Sequence, residues 1–154
     1  MSENRIRIAK DKGELVKSLV ASTDNNSPFQ TYADVILFAA TLGAKQQQRS
    51  PLGEISKREP GSINSDIFIA RGYDPVMKLI AIAATENINI ITPDRTEFEQ
   101  QRIQIFEEYA NGGLEILEQE LRGAVDYTER ILLMLSTPLD RSNNTTEFNL
   151  SKFL

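Results

Sequence analysis

Residues 92–123 read TPDRTEFEQQRIQIFEEYANGGLEILEQELRG, and this stretch carries a long helical pattern. Within it Phe98, Ile105, Phe106 and Tyr109 recur at the spacing that places side chains on one face of a helix. The opposite positions are mostly acidic or amide side chains. The stretch therefore predicts a long amphipathic helix around which the rest of the chain packs.

The ends of this helix and a possible break within it are also marked. Thr92 and Asp94 are both candidate N-caps, because their side-chain oxygens can accept from the first free backbone N–H groups. Gly112–Gly113 predicts an interruption, either a kink or a turn between two helices. The leucines of residues 114–121 then continue the pattern to a glycine at position 123.

Four further segments are predicted to be helical. One spans about residues 11–21, and a second spans residues 31–43 and ends at Gly43, which takes the left-handed conformation without steric cost. Another begins at Pro75, and the last ends before Pro138. With the short N-terminal strand described below, these segments predict a mainly α fold of about five helices.

The chain is predicted to form one domain followed by a tail. Residues 44–70 are the least regular part; within them Ile63, Ile67 and Ala70 allow a helical turn, while residues 66–70 could equally be a strand. The predicted organisation is one mainly helical domain over residues 1–136, made of a strand–helix–helix unit at 4–43, an irregular arm at 44–70 and a helical part at 75–136, and then a tail at 137–154.

The composition excludes several chemistries. The 154 residues include no cysteine and no histidine, which removes disulfides, thiolate metal sites, Ser-His-Asp triads and the commonest general base. We therefore expect no enzymatic activity, no metal and no cofactor. The polar N-terminus has no apolar signal segment, and no apolar run reaches the length of a membrane span, so the chain is expected to be cytoplasmic and away from membranes.

Charge is unevenly distributed along the chain. The net charge is -5, yet residues 1–60 hold nine Lys/Arg and seven Asp/Glu, whereas residues 61–154 hold eight and fifteen. An acidic total disfavours non-specific binding of polyanions by the whole surface. Either the first half carries a local basic face or both halves simply have solvated surfaces.

The N-terminal segment Arg5–Ile8 alternates polar and apolar residues, as a strand does. Followed by two helices, it has the outline of a ribbon-helix-helix unit, in which strands from two subunits pair and enter the DNA major groove. Arg5 and Arg7 would then face DNA, and Thr31 would present a helix N-terminus to a phosphate. This interpretation predicts a homo-oligomer of even number; the alternative is an edge strand with solvated arginines.

A second set of cations lies in the arm and could follow a nucleic-acid backbone, although it has no aromatic side chains for base stacking. The alternative is a solvated loop. The complete set of predicted contacts with double-stranded DNA is Arg5, Arg7, Lys10, Lys12, Thr31, Lys45, Arg49, Lys57 and Arg58.

The acids of the long helix allow other interpretations. Paired carboxylates could hold magnesium in a nuclease, but acids are also expected on the solvated face of a leucine-bearing helix, which is the favoured interpretation. The leucines of the C-terminal half belong either to the core or to an interface for a protein partner. The acids concerned are Glu97, Glu99, Glu107, Glu108, Glu115, Glu118 and Glu120.

Five stretches resemble a bacterial protein family. They are RIRIAKDK (5–12), PFQTYAD (28–34), PLGEI (51–55), GYD (72–74) and RIQIFEEYANGGLEIL (102–117). Together they are similar to the DNA phosphorothioation-associated protein 4 family, also called Dnd system-associated protein 4, over about residues 4–136. The N-terminal unit is also loosely similar to DndE, a small DNA-binding component of these systems.

The resemblance implies context more than chemistry. Members of the family accompany genes that replace a phosphate oxygen of DNA by sulfur or that restrict unmodified DNA. We therefore expect a non-catalytic accessory protein of such a modification and restriction system. It would contact DNA through its basic N-terminal half or, alternatively, join other Dnd proteins through its acidic C-terminal helices without touching DNA.

Overall fold

The computed structural model describes residues 4–20 and 27–136, so the predicted tail lies outside the described residues. The described residues form six helices and one two-stranded sheet, which confirms the mainly α class with one helix more than expected. In chain order the elements are β1 (Arg5–Ile6), α1 (Gly13–Ser18), α2 (Tyr32–Lys45), β2 (Ile63–Asn64), α3 (Ser65–Ala70), α4 (Asp74–Thr85), α5 (Thr96–Leu121) and α6 (Tyr127–Ser136).

The long helix α5 packs most extensively against α2, and the other helices surround this pair. The buried apolar side chains form one cluster to which β1, α2, α3 and α5 contribute. At its centre the rings of Phe68 and Phe106 meet edge to face, with 5.5 Å between centroids. Both side chains are fully buried. Of the periodic apolar residues predicted for the longest helix, Ile105 and Phe106 are in the core, whereas Phe98 and Tyr109 are partly buried against it.

Glycines set the distance between α2 and α5. A Cβ atom on Gly113 would lie 1.7 Å from the carbonyl oxygen of Ala39, and one on Gly43 would lie 2.1 Å from that of Tyr109. Two predictions are therefore wrong: Gly112–Gly113 does not interrupt α5, and Gly43 does not end α2, which continues to Lys45. These glycines allow backbones to touch, a role that does not require them to break a helix.

The capping residues are partly as predicted. Thr31 caps α2, because its hydroxyl accepts from the backbone N–H of Asp34 at 3.2 Å. Thr92 and Asp94 do not cap α5, which begins at Thr96 with Arg95 at the N-cap position. Thr92 instead follows the 3-10 turn Ile88–Ile91, which comes after α4, and its hydroxyl donates to the backbone carbonyl of Asn89 at 2.7 Å.

The N-terminal strand finds its partner within the same chain. β1 pairs antiparallel with β2, with Arg5 opposite Asn64 and Ile6 opposite Ile63. Residues 66–70, for which the sequence allowed a strand or a helical turn, are helical in α3, and the strand β2 lies directly before that helix. The ribbon-helix-helix interpretation stays a prediction. The argument for an even-numbered oligomer loses its basis, because it rested on a strand without a partner.

The arm follows the surface of the protein closely. Between α2 and β2 it contains no helix, but it pairs with the N-terminal segment before reaching β2. The N–H of Lys10 donates to the carbonyl of Glu54, and the N–H of Ser56 donates to the carbonyl of Ile8, both at 2.8 Å. Residues 46–62 contain no helix and no named strand, and Pro60 among them is buried.

Candidate nucleic-acid interface

The N-terminal segment and the arm enclose a shallow groove. The arm pairs with the N-terminal segment at two places, through residues 54–56 and again through β2, and the groove lies between them. Its volume is about 650 Å³. We call it the basic groove, because three of its lining residues are cations and none is an acid. It is lined by Arg5, Arg7, Ile55, Ser56, Lys57, Gly61 and Ser62.

Helix α5 holds the beginning of the arm in place. The carboxylate of Glu115 accepts from the Gln48 amide at 2.9 Å and from the Ser50 hydroxyl at 3.0 Å. The buried amide of Asn111 donates to the carbonyl of Pro51 at 3.1 Å. These contacts fix the course of the arm, so the position of its later cations is set by polar groups on α5.

Arg7 is the most constrained cation of the basic groove. Its Nε and Nη2 atoms donate to the two carboxylate oxygens of Glu107 at 2.9 and 3.0 Å, and its backbone N–H donates to the same carboxylate at 2.6 Å. The Glu107 side chain is only 1% exposed, whereas that of Arg7 is 53% exposed. The hydrogen bond and the charge of Glu107 raise the pKa of the Arg7 guanidinium above its ordinary value.

The other two cations are held less tightly. Arg5 donates from Nε and Nη2 to the hydroxyl and the carbonyl of Ser62, both at 2.7 Å, and these bonds keep the side chain along the wall of the groove. Lys57 is exposed, and it has no ion-pair partner in the described part of the chain. An anion in the groove would therefore meet one fixed guanidinium, one tethered guanidinium and one adaptable ammonium.

A second groove of about 920 Å³ adjoins the first and shares Ile55, Ser56 and Lys57 with it. Lys10 and Arg58 lie here, but so do three acids. Lys10 forms an ion pair with one of them, Glu54, at 3.3 Å, and both side chains are well exposed. Such a pair contributes little to stability. The positive charge of this groove is offset by Glu14, Glu54 and Glu59.

The structure places four predicted contacts outside both grooves. Lys12 is 4% exposed and pairs with Asp11 at 3.0 Å, so it is removed from any accessible surface by its burial. Arg49 donates to Glu108 at 2.8 Å and lies over the ring of Tyr109. Lys45 is exposed at the C-terminal end of α2.

Thr31 is the fourth of these residues, and its environment is acidic. Beside its cap, the carboxylate of Asp34 accepts from the hydroxyl of Tyr73 at 2.5 Å and from Arg71. Burial raises the pKa of Asp34, but hydrogen bonds from Tyr73 and Thr31 and the charge of Arg71 lower it by more, so that the net shift is downward. A carboxylate already occupies the helix N-terminus at which we expected a phosphate.

The acids of α5 are not one solvated face. Glu107 is buried against Arg7, and Glu115 holds the arm, so the prediction of a solvated face is wrong for these two. Within residues 4–20 and 27–136, no three acids are placed to hold a metal ion.

Two features of the site escape the sequence argument. Glu107 lies three residues before Ala110 and seven before Leu114, positions that share the buried face of α5, and this spacing is a signal that could have identified it. The meeting of Lys57 with Arg5 and Arg7 has no comparable signal, because it depends on the course of the arm.

No helix in the described ranges is both long and apolar enough to cross a membrane.

Neither a curated protein nor a solved structure matches the chain significantly. The model of one protein family, described as DNA sulphur modification system-associated protein 4, matches residues 5–153. Since that match spans nearly the whole sequence, the chain belongs to the DNA sulphur modification system-associated protein 4 family.

Proposed function

We propose that this protein is a non-catalytic accessory component of a DNA sulphur modification system and that it contacts the DNA backbone through the basic groove. The observation that carries the proposal is the convergence of Arg5, Arg7 and Lys57, from two separate parts of the chain, in a groove without a lining acid. The family description supports the association with DNA modification.

The chemistry of the lining favours phosphate over base contacts. Two guanidinium groups and an ammonium can neutralise phosphate oxygens, and the groove also presents Ser56 and Ser62. It contains no aromatic ring for stacking and no side-chain amide for reading an adenine edge. Binding of this kind depends on the duplex backbone and varies little with sequence.

The proposal is tested with the full-length protein and a fluorescent duplex by anisotropy at several salt concentrations. Replacing Arg5 and Arg7 together by alanine should weaken binding and lower the slope of log K against log salt by about two, since each phosphate contact contributes about one. Lys17→Ala with Arg122→Ala is the matched control, because it removes the same charge from exposed residues outside the basic groove. Equal weakening by both pairs would contradict the proposal.

A second candidate function is supported by a different observation. Helix α6 leaves Leu132, Leu133 and Leu135 each more than half exposed. Exposed leucines on one helix are typical of a contact with another protein, which fits an adaptor that joins other proteins of the system without binding DNA. Partner recovery from cells that carry the whole system tests it. Two variants separate a role of the tail from a role of α6: one lacks residues 137–154, and the other carries Leu132→Ser with Leu135→Ser. Full partner recovery with each of the two variants would refute the adaptor.

A further inference from the structure

We propose that Glu107 is a positioning residue that aims Arg7 into the basic groove, so that a backbone phosphate is held by a pre-oriented guanidinium. This inference rests on the proposed function and adds to it a residue that does not itself touch DNA. The carboxylate of Glu107 is buried and accepts three hydrogen bonds from the one residue Arg7, which lines the groove.

The geometry divides the guanidinium into two sides. Glu107 occupies Nε and Nη2, while Nη1 has no partner in the described ranges. Arg7 lines the basic groove and its side chain is about half exposed. Three further N–H donors, two on Nη1 and the second on Nη2, are therefore left for an anion. A guanidinium fork held this way loses less conformational freedom on binding than a free arginine side chain would.

The burial of Glu107 also keeps its carboxylate out of direct contact with an anion in the groove. Its two oxygens are already engaged by the strand segment and the guanidinium, and the side chain does not line the groove. A phosphate therefore approaches the outward edge of Arg7 without meeting the carboxylate directly. The contact with the backbone N–H of Arg7 fixes the segment that follows β1 as well as the side chain.

The decisive variant is Glu107→Gln, for which electrostatics and positioning predict opposite results. The substitution changes the net charge from -5 to -4, so charge alone predicts tighter DNA binding. Positioning predicts binding that is about three- to tenfold weaker, with the salt slope reduced by about one because the Arg7 contact is lost. Binding as tight as wild type, or tighter, would overturn the inference.

Two controls separate positioning from a general effect. Glu118→Gln makes the same change of charge on the exposed side of α5 and should leave binding unchanged or slightly tighter. In an Arg7→Ala background, Glu107→Gln should cause no further loss of affinity, since both changes remove the same contact. A second loss of the same size in that background would show that Glu107 acts through the fold and would refute positioning.

A third variant and a second readout keep the inference testable if Glu107→Gln does not fold. Arg7→Lys retains the charge but not the planar pair of N–H donors, and it should weaken DNA binding about as much as Glu107→Gln does. Wild-type affinity of Arg7→Lys would refute positioning.

The second readout is the NMR signal of the Arg7 Nε–H, which should exchange slowly with water in the wild type. A fast-exchanging signal would overturn the inference even if DNA binds. If DNA does not bind to the wild type at any salt concentration, the proposed function fails, while this signal still reports on the Arg7–Glu107 contact.

Discussion

Helices α5 and α6 both carry leucines at helical spacing, yet the structure uses them differently. In α5, Leu114, Leu117 and Leu121 are almost completely buried, because α2 approaches closely enough to cover them. In α6 only Ile131 is buried. A stripe of leucines therefore indicates a face that favours burial, but a complementary surface decides whether that face becomes core.

The close contact between α2 and α5 depends on residues without side chains. Gly43 on α2 and Gly113 on α5 bring the two helix backbones into contact, while Gly112 brings α5 against the backbone of Gln48 in the arm. In the described residues no glycine brings another backbone comparably close to α6. The contrast between close packing at one helix and exposure at the other gives three predictions of decreasing size.

The largest effect is expected for Gly113→Ala. The new methyl group would lie 1.7 Å from the Ala39 carbonyl oxygen, and a backbone atom cannot move aside as a flexible side chain can. The two helices would have to separate, with an expected loss of about 3–5 kcal/mol in the free energy of unfolding. Denaturation by urea followed by circular dichroism measures it.

Gly61→Ala is the matched control for this prediction. The nearest atom to a Cβ at position 61 is 3.9 Å away, and Gly61 does not have a positive φ. The free energy of unfolding of Gly61→Ala should equal that of the wild type or exceed it by up to about 1 kcal/mol, because alanine lowers the entropy of the unfolded chain. Equal stability of the two variants would show that α2 and α5 are not closely packed.

The same glycines show how far the sequence predicts the fold. Periodicity predicts α2, α4, α5 and α6 well, because each contains enough turns to show an apolar face. Periodicity does not tell which element packs against each apolar face. Gly43 and Gly112–Gly113 therefore predict helix breaks from the sequence, although the helices continue through them. Only the partner helix reveals that a glycine serves close approach.

The candidate site is predictable to a smaller extent. Arg5 and Arg7 follow from strand alternation, which places both on the face opposite the buried Ile6 and Ile8. Lys57 joins them because the arm is held on α5 by Glu115 and Asn111 and on the N-terminal segment by residues 54 and 56, and such long-range contacts leave no periodic signal. The burial of Lys12 likewise depends on how the 3-10 turn Lys10–Lys12, directly before α1, packs on the rest of the protein.

An intermediate effect is expected at the N-terminus of α2. Asp34 links this helix to Tyr73 and Arg71, so Asp34→Asn should cost about 1–2 kcal/mol at neutral pH through weaker hydrogen bonds. Because the folded state lowers the pKa of Asp34 below its ordinary value of 3.8, the stabilisation is present above that value. It is lost as the pH falls through the lower, folded pKa.

The pH dependence supplies the measurement for Asp34. The difference in unfolding free energy between wild type and Asp34→Asn should be constant from pH 7 to about pH 5 and shrink below pH 4. Tyr73→Phe, which removes one donor to the same carboxylate, should show a smaller difference with the same direction of change. A difference that grows toward low pH would mean that the carboxylate is not stabilised in its charged form.

The smallest effect on stability is expected at α6, where the contrast with α5 is sharpest. Leu132→Ser and Leu135→Ser each remove an apolar side chain that is more than half exposed, so each should change the free energy of unfolding by no more than about 0.5 kcal/mol. Leu117→Ser on α5 is the comparison and should unfold much more easily, since its side chain is fully buried. If the α6 variants were destabilised as strongly as Leu117→Ser, these leucines would be covered in solution. A loss that grows with protein concentration would identify the cover as a second copy of the chain, since association stabilises the folded state by mass action.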